Sequence, residues 1–197
     1  MVKMIPDLSP GKGKGNETSA APSPWVVRFA GLIEPGGRVL DLACGSGRHA
    51  CWLADLGHVV EAVDRDAVAL AELSRARPQV RTRVADLEGG PWPYHGCAFD
   101  AIVVTNYLYR PLLPLILSAL DSNGVLIYET FMVGNERFGK PSNPAFLLHS
   151  GELLEVVRQH LNIVAFEQGE VATPRPLVVQ RLCATRRIAW RLPETGG

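Results

Sequence analysis

Val39 to Ala50 reads VLDLACGSGRHA: an apolar strand carrying Asp41 at its end, then a turn with Gly45 and Gly47, then the opening of a helix. Only glycine accepts both the positive φ of such a turn and the close approach of a ligand to the main chain. Paired glycines between strand and helix therefore leave backbone N–H groups facing a bound molecule. A dinucleotide fingerprint has the form G-x-G-x-x-G/A with an acidic residue roughly twenty positions further on. Here Asp41 precedes the glycines, Gly45-Ser46-Gly47 runs into Arg48-His49-Ala50, and Asp64 closes the next strand. The turn has no Lys and no G-x-x-x-x-G-K-[ST] loop, so it is not prepared for phosphates. Arg48, at the helix start, reads as a solvent-facing or packing residue.

Working outward, strand and helix patterns alternate. Ser23-Pro24 opens a short amphipathic helix with Trp25, Phe29, Leu32 and Ile33 on one stripe, ended by Glu34-Pro35-Gly36-Gly37. Arg38 to Ala43 reads as the first strand, Gly47 to Leu56 as a helix with Ala50, Leu53 and Ala54 inward, and His58 to Asp64 as the second strand. Asp66 caps a helix carrying Val68, Leu70, Ala71 and Leu73, and Val80 to Ala85 is the third strand, ending before Asp86. Ala98 to Thr105 contains the continuous apolar run AIVV of a parallel strand buried on both faces. Leu112 to Leu120 is helical, Asp121 to Gly124 turns, and Val125 to Phe131 is the fifth strand. A loop from Met132 to His149 leads to a helix over Ser150 to His160, capped by Ser150. Leu161 to Gln168 and Leu177 to Ala184 then follow with no helix between them, so they pair as a hairpin. The expected fold is α/β: a three-layer, doubly wound, mostly parallel seven-stranded sheet whose last strand is antiparallel.

The chain has 197 residues, within the range of one domain. Residues 1–23, rich in Gly, Lys, Pro and Ser, read as a mobile arm, and 24–197 as a single domain. Lys+Arg and Asp+Glu are equal at 20 each, so no overall field draws the chain to nucleic acid or membrane. No apolar run approaches the ~18–20 residues of a membrane helix, and the N-terminus lacks a signal-peptide core; a soluble, cytoplasmic protein is expected. Cys44, Cys51, Cys97 and Cys183 form no C-x-x-C pair and read as buried reduced thiols, with no metal site among them.

With its glycine turn, Asp41, Asp64, Asp86 and terminal hairpin, the chain from about Trp25 to Arg187 resembles the class I S-adenosylmethionine-dependent methyltransferases. The resemblance is to the small stand-alone bacterial type that includes the tellurite-resistance enzymes. It implies S-adenosylmethionine as cofactor, with S-adenosylhomocysteine as product. On that resemblance Asp41 would bond the amino acid end of the cofactor, and the main chain at Ala43, Cys44, Gly45 and Gly47 would line its methionine and ribose. Asp64, with Arg65 beside it, would accept from the ribose hydroxyls. Asp86 and Leu87 would hold the adenine, and Thr105 would close the site after the fourth strand. The three carboxylates fall at three consecutive strand ends, where such sheets bind ligands.

The acceptor side is less specific. Thr105-Asn106-Tyr107-Leu108-Tyr109-Arg110-Pro111 does not spell the Asn/Asp-Pro-Pro-aromatic motif of exocyclic-amine methyltransferases, and the net charge is neutral. A small-molecule acceptor is therefore expected, with nucleic acid disfavoured and no membrane partner. Tyr107, Glu129 and Arg137 are the candidate catalytic residues, and Met132 to His149 the candidate acceptor lid. Glu129 and Arg137 could equally pin that loop as an ion pair. The alternatives are an RNA or protein acceptor contacted by the basic arm and by Arg81, Arg83, Arg186 and Arg187, or a non-catalytic module of the same fold. A nicotinamide oxidoreductase is more distant.

Overall fold

The computed structural model describes residues 21–172 and 175–193, so the expected arm lies, except for its last three residues, outside the described residues. Seven strands form one sheet: β1 (Arg38–Leu42), β2 (Val59–Asp64), β3 (Arg81–Val84), β4 (Phe99–Thr105), β5 (Leu120–Phe131), β6 (Asn162–Val171) and β7 (Leu177–Thr185). Their order is β3-β2-β1-β4-β5-β7-β6. The first five pair in parallel, and β7 runs antiparallel between β5 and β6. This is the expected topology. The hairpin connection after β6 is too short for a crossover, which forces the reversed strand.

Period-two alternation divides the central strands between two cores. Val39, Ala101, Val103, Val125 and Ile127 face α1 (Pro24–Phe29), α2 (Arg48–Asp55) and α3 (Ala67–Ala76). Leu40, Leu42, Ile102, Val104, Leu126 and Tyr128 face α4 (Leu113–Ser118) and α5 (Glu152–Val157). The stripe expected on the first helix is buried in full, with Trp25, Phe29, Leu32 and Ile33 all in the core.

Four local expectations need correction. Leu120 belongs to β5, because Phe99 N–H bonds to Ala119 O and Leu120 pairs with Phe99. The expected turn at 121–124 is thus the irregular start of that strand. Ser150 does not cap α5: Gly151 does, at φ +71°, and Gln180 Oε1 accepts the Leu153 N–H instead. On α3 only Leu70 and Leu73 are buried, while Val68 and Ala71 are exposed, since the helix covers the narrow edge of the sheet. Cys44 and Cys183 are buried, Cys51 and Cys97 only half-buried, and all four are free thiols. Among the described residues no helix is long and apolar enough to cross a membrane.

Candidate functional site

The carboxyl ends of the parallel strands share one rim, and the glycine turn lies on it. Its two glycines do different work. Gly47, at φ +79°, precedes α2, and a Cβ there would collide with the Leu73 side chain, so it sets the packing of α3 on the turn. Gly45, at φ +56°, would meet nothing within 4 Å, so its face is open to a ligand. Ala43 and Asn106 also have positive φ, each 55°, at the ends of the neighbouring strands β1 and β4. Left-handed backbone at a non-glycine residue costs about 1–2 kcal/mol, and such strain collects at functional rims.

The expected carboxylates are at that rim, each already engaged by backbone. Asp41, facing α2, accepts the Ala50 N–H on Oδ2 at 2.9 Å and is almost fully buried. Burial pushes its carboxyl up to about 7, against the Ala50 hydrogen bond and the Arg48 charge. Asp64 accepts the Gly45 N–H on Oδ2 at 2.8 Å and the Asp66 N–H on Oδ1 at 3.0 Å. Asp86 is exposed, and its Oδ1 accepts the N–H groups of Glu88 and Gly89, which hold its carboxyl below the usual range. A carboxylate has about four acceptor positions, so Asp64 and Asp86 both retain capacity for a ligand.

A cleft between these turns is lined by Ala43, Asp64, Arg65, Ala85, Asp86, Leu87, Glu88 and Tyr107. Five of the lining residues were expected to hold the cofactor; Ala85 and Glu88 were missed. Tyr107 was expected on the acceptor side, and the structure puts it on the cleft wall beside Leu87 and Glu88. Asn106 turns the chain there, with its N–H bonded to Glu129 O. Cys44 is buried behind the turn, and burial raises its thiol well above the ordinary range, so it is no nucleophile. Thr105 half-faces the other side of the rim, its Oγ1 at 3.4 Å from His49 Nδ1.

That other side is a polar row across four strands. Thr105 pairs in register with Glu129, Glu129 with Arg181, and Arg181 with Glu167. Glu129 Oε2 meets Arg181 Nε at 2.5 Å, and Glu129 Oε1 accepts the Ser23 hydroxyl at 2.8 Å. Ser23 N–H in turn donates to His49 Nε2 at 3.0 Å. Burial and the Arg48 charge lower the His49 imidazole to about 3, so it stays neutral with Nε2 as acceptor. Ser23, expected where the arm ends and the first helix opens, is a buried cap of α1 and, beyond that expectation, part of the rim. His49 was missed although it shares an i,i+4 face with inward Leu53, the signal that would have found it.

The expected Glu129–Arg137 pair does not form. Arg137 bonds Gly134 O and pairs with Glu170 on β6 at 3.3 Å, pinning the loop to the hairpin and away from Glu129. Asn135 is a clamp: Nδ2 donates to Pro141 O and Oδ1 accepts the Val178 N–H. Arg110 forks onto both Glu152 oxygens and donates to Ala145 O and Leu147 O, fixing the far end of the loop.

The cleft presents three carboxylates, those of Asp64, Asp86 and Glu88, and one guanidinium from Arg65. This donor set suits a ligand with free hydroxyls and amino groups and suits a pyrophosphate poorly. S-Adenosylmethionine, with ribose hydroxyls, an adenine amine and a cationic amino acid end, fits it. Residues 39–121 match the methyltransferase domain family. Over that span the chain is similar to methyltransferase domains. It is 40% identical over 114 residues to a protein-L-isoaspartate O-methyltransferase of Gloeobacter violaceus, covering 53% of each chain. The chain spans about half the length of the curated relatives it matches. Its fold matches TehB from Haemophilus influenzae with a TM-score of 0.68 at 21% identity, covering 82% of this chain and 61% of that one. It also matches a TehB-like S-adenosylmethionine-dependent methyltransferase from Corynebacterium glutamicum, with a TM-score of 0.62 at 22% identity over 83% and 87% of the two chains.

Proposed function

We propose that this chain is a methyltransferase that binds S-adenosylmethionine in the cleft and moves its methyl group to a small-molecule acceptor, releasing S-adenosylhomocysteine. The observation that carries this reading is the set of carboxylates Asp41, Asp64 and Asp86 at three consecutive strand ends around the open face of Gly45. The cofactor, when bound, supplies a methyl group on a cationic sulfur, ready for in-line displacement. The chain's own residues bind and orient. Asp64 has acceptor positions left for the ribose hydroxyls, Asp86 for the adenine amine, and Asp41, behind the turn, supplies negative charge toward the amino acid end. Much of the rate of such a displacement comes from alignment, so no dedicated base is required.

A small acceptor is supported by the tethering of the loop after β5. Met132 bridges Leu148 at its base, Asn135 clamps it to β7, and Arg110 holds its end. A protein acceptor is the second reading, favoured by the name of the isoaspartate relative. The family match, however, stops at residue 121, before this loop. The nucleic-acid reading has less support. Arg83 pairs with Glu61, while Arg187 bonds Asn123 O and Arg186 bonds Leu117 O near the start of β5, at the rim opposite the cleft. These arginines do not cluster beside the site.

Calorimetry with S-adenosylhomocysteine and with NAD tests the donor, and binding of NAD alone would overturn the reading. Labelled methyl donor incubated with a metabolite extract and, separately, with an isoaspartyl peptide tests the acceptor. Label in a small molecule supports the proposal. Label in the peptide alone replaces it with the protein reading, and donor binding with no transfer to either points to a non-catalytic module.

A further inference from the structure

A groove of about 480 Å³ opens on the rim opposite the cleft, where β5 and β6 begin and β7 ends. The register fixes that place, since Thr185 at the end of β7 pairs with both Val125 and Asn162. Arg158, Gln159 and His160 line the groove from the end of α5, Ser122 from β5, Asn162 from β6 and Arg186 from just past β7. No carboxylate lines it, whereas Asp64, Asp86 and Glu88 line the cleft. In a chain of balanced charge, a wall with two guanidiniums and no carboxylate is a local concentration of positive charge. Basic residues at a helix C-terminus often serve its carbonyls, but α5 closes that end with backbone. Arg158 N–H bonds Leu154 O, and the His160 and Leu161 N–H groups both bond Val157 O. Two carboxylates stand near the groove without lining it. Asp121 accepts the Ser122 hydroxyl at 2.9 Å. Glu155 meets Arg158 Nη2 at 2.8 Å, but both side chains are more than half exposed, and such a surface pair contributes only about 0–1 kcal/mol. Arg186 is held more firmly, with Nη2 donating to Leu117 O at 2.8 Å and its backbone N–H to Gly124 O at 3.1 Å. Each arginine commits one Nη nitrogen, and a guanidinium has five N–H donors, so both retain donors for a ligand.

We propose that this groove is a second ligand site, which binds a small phosphorylated molecule through Arg158 and Arg186. The site is separate from the cleft and does not depend on what the cleft binds. A phosphate group offers several oxygens to donors arriving from different elements, whereas a carboxylate has two and is filled by about one guanidinium fork. The groove has room for more than the phosphate, since its volume falls in the range of small-molecule sites, about 300–1,000 Å³. The amides of Gln159 and Asn162 suit the polar edges of an organic part. Asn162 Nδ2 donates to Arg187 O at 2.8 Å, which leaves Oδ1 as an acceptor for a ligand hydroxyl or amine. A nucleic acid would need the positive charge to continue along a track, and it does not. Arg187 is tied to Glu34 at 2.8 Å, while Arg83 pairs with Glu61 at the far edge of the sheet.

Pyrophosphate is the probe. The full chain, at low ionic strength in a buffer free of phosphate, is titrated with it by calorimetry, and the imidazole signals of the five histidines are followed by NMR. The expected result is one site per chain, with movement of the His160 signal, which is assigned from its loss in His160→Gln. Arg158→Gln and Arg186→Gln should each weaken pyrophosphate binding about tenfold, the loss of a hydrogen bond between charged groups, and leave affinity for S-adenosylhomocysteine unchanged. Arg75→Gln on α3 makes the same charge change elsewhere and should bind pyrophosphate as wild type does. Arg158 is exposed, so its variant should melt at the wild-type temperature, and it carries the test if Arg186→Gln, without its bond to Leu117 O, fails to fold. Absence of pyrophosphate binding by wild type overturns the proposal. So does equal weakening by Arg75→Gln and Arg158→Gln, which would mean diffuse attraction, or competition with S-adenosylhomocysteine, which would put the anion in the cleft. A short single-stranded RNA that binds where pyrophosphate does not would replace the small-molecule site with a nucleic-acid surface.

Discussion

The Asp64 carboxylate closes the glycine turn by accepting the Gly45 N–H at 2.8 Å, so the residue expected to hold the ribose also fixes the loop that the ligand must approach. Its second oxygen takes the Asp66 N–H, setting the entry to α3. Asp64→Ala should therefore act twice. Affinity for S-adenosylhomocysteine should fall by roughly 1–3 kcal/mol, and folding stability should fall by a similar amount as two N–H groups lose a charged acceptor. Calorimetry and urea unfolding on the same variant separate the two effects. Lost affinity at full stability would mean that the turn holds itself without Asp64.

Asp41 makes the site pH-dependent. Burial lifts its carboxyl to about 7 in the folded protein, whereas an unfolded carboxyl titrates near ~3.9. A folded pKa raised in this way gives stability that is complete below pH ~4 and lost as pH rises through about 7. Asp41→Asn should accordingly be more stable than wild type at pH 8, by at most roughly 4 kcal/mol, with the difference closing toward pH 4. A ligand whose cationic end needs the carboxylate should bind wild type about tenfold more tightly at pH 8 than at pH 6, with release of a proton. Titrations in buffers of different ionisation enthalpy measure that proton, and a flat profile that also persists in Asp41→Asn would exclude Asp41 from the amino acid end.

What the chain disclosed and what it concealed divide along sequence distance. The strand ends bearing Asp41, Asp64 and Asp86 and the two glycines lie in one run of alternating elements, where period and turn chemistry place each residue locally. The row from Thr105 through Glu129 and Arg181 to Glu167 depends instead on register across β4, β5, β7 and β6, which no local pattern specifies. The place of Ser23 on the rim was hidden because its partners, His49 and Glu129, are 26 and 106 residues away, and because it follows a polar stretch. That Tyr107 lines the cleft was not legible for a different reason. The left-handed backbone at Asn106 re-aims the chain, and asparagine in a loop does not by itself announce a positive φ. Arg137 was paired with the wrong carboxylate, since the loop's contact with Glu170 exists only once the hairpin is folded.

Glu129 is held as a structural ion pair. Its two oxygens are engaged by the Ser23 hydroxyl and by Arg181, whose guanidinium is also 3.8 Å from Glu167. Glu129→Gln leaves the half-buried Arg181 charge without its main partner and should cost about 1–3 kcal/mol of stability. Turnover, measured where the variant remains folded, should change less than about tenfold, because a positioned general base is worth about 10²–10⁴-fold and Glu129 is not free to act as one. Should turnover fall by about a hundredfold while stability and donor affinity hold, Glu129 would be the base after all.

The two glycines of the turn provide the sharpest separation of fold from function. Both have positive φ, so alanine at either carries about 1–2 kcal/mol of backbone strain. At Gly45 the added methyl meets no protein atom, and it enters the space where a ligand would approach the main chain. Gly45→Ala should therefore remain folded, losing no more than that strain, while its affinity for S-adenosylhomocysteine drops at least about tenfold. At Gly47 the methyl drives into Leu73 on α3, adding overpacking of about 1–3 kcal/mol to the strain. Gly47→Ala should be the less stable of the two, and shortening the obstructing side chain with Leu73→Ala should recover part of the overpacking loss, visible as less-than-additive destabilisation in the double-mutant cycle. Equal destabilisation by the two glycine substitutions, with ligand affinity spared in both, would remove Gly45 from the binding surface.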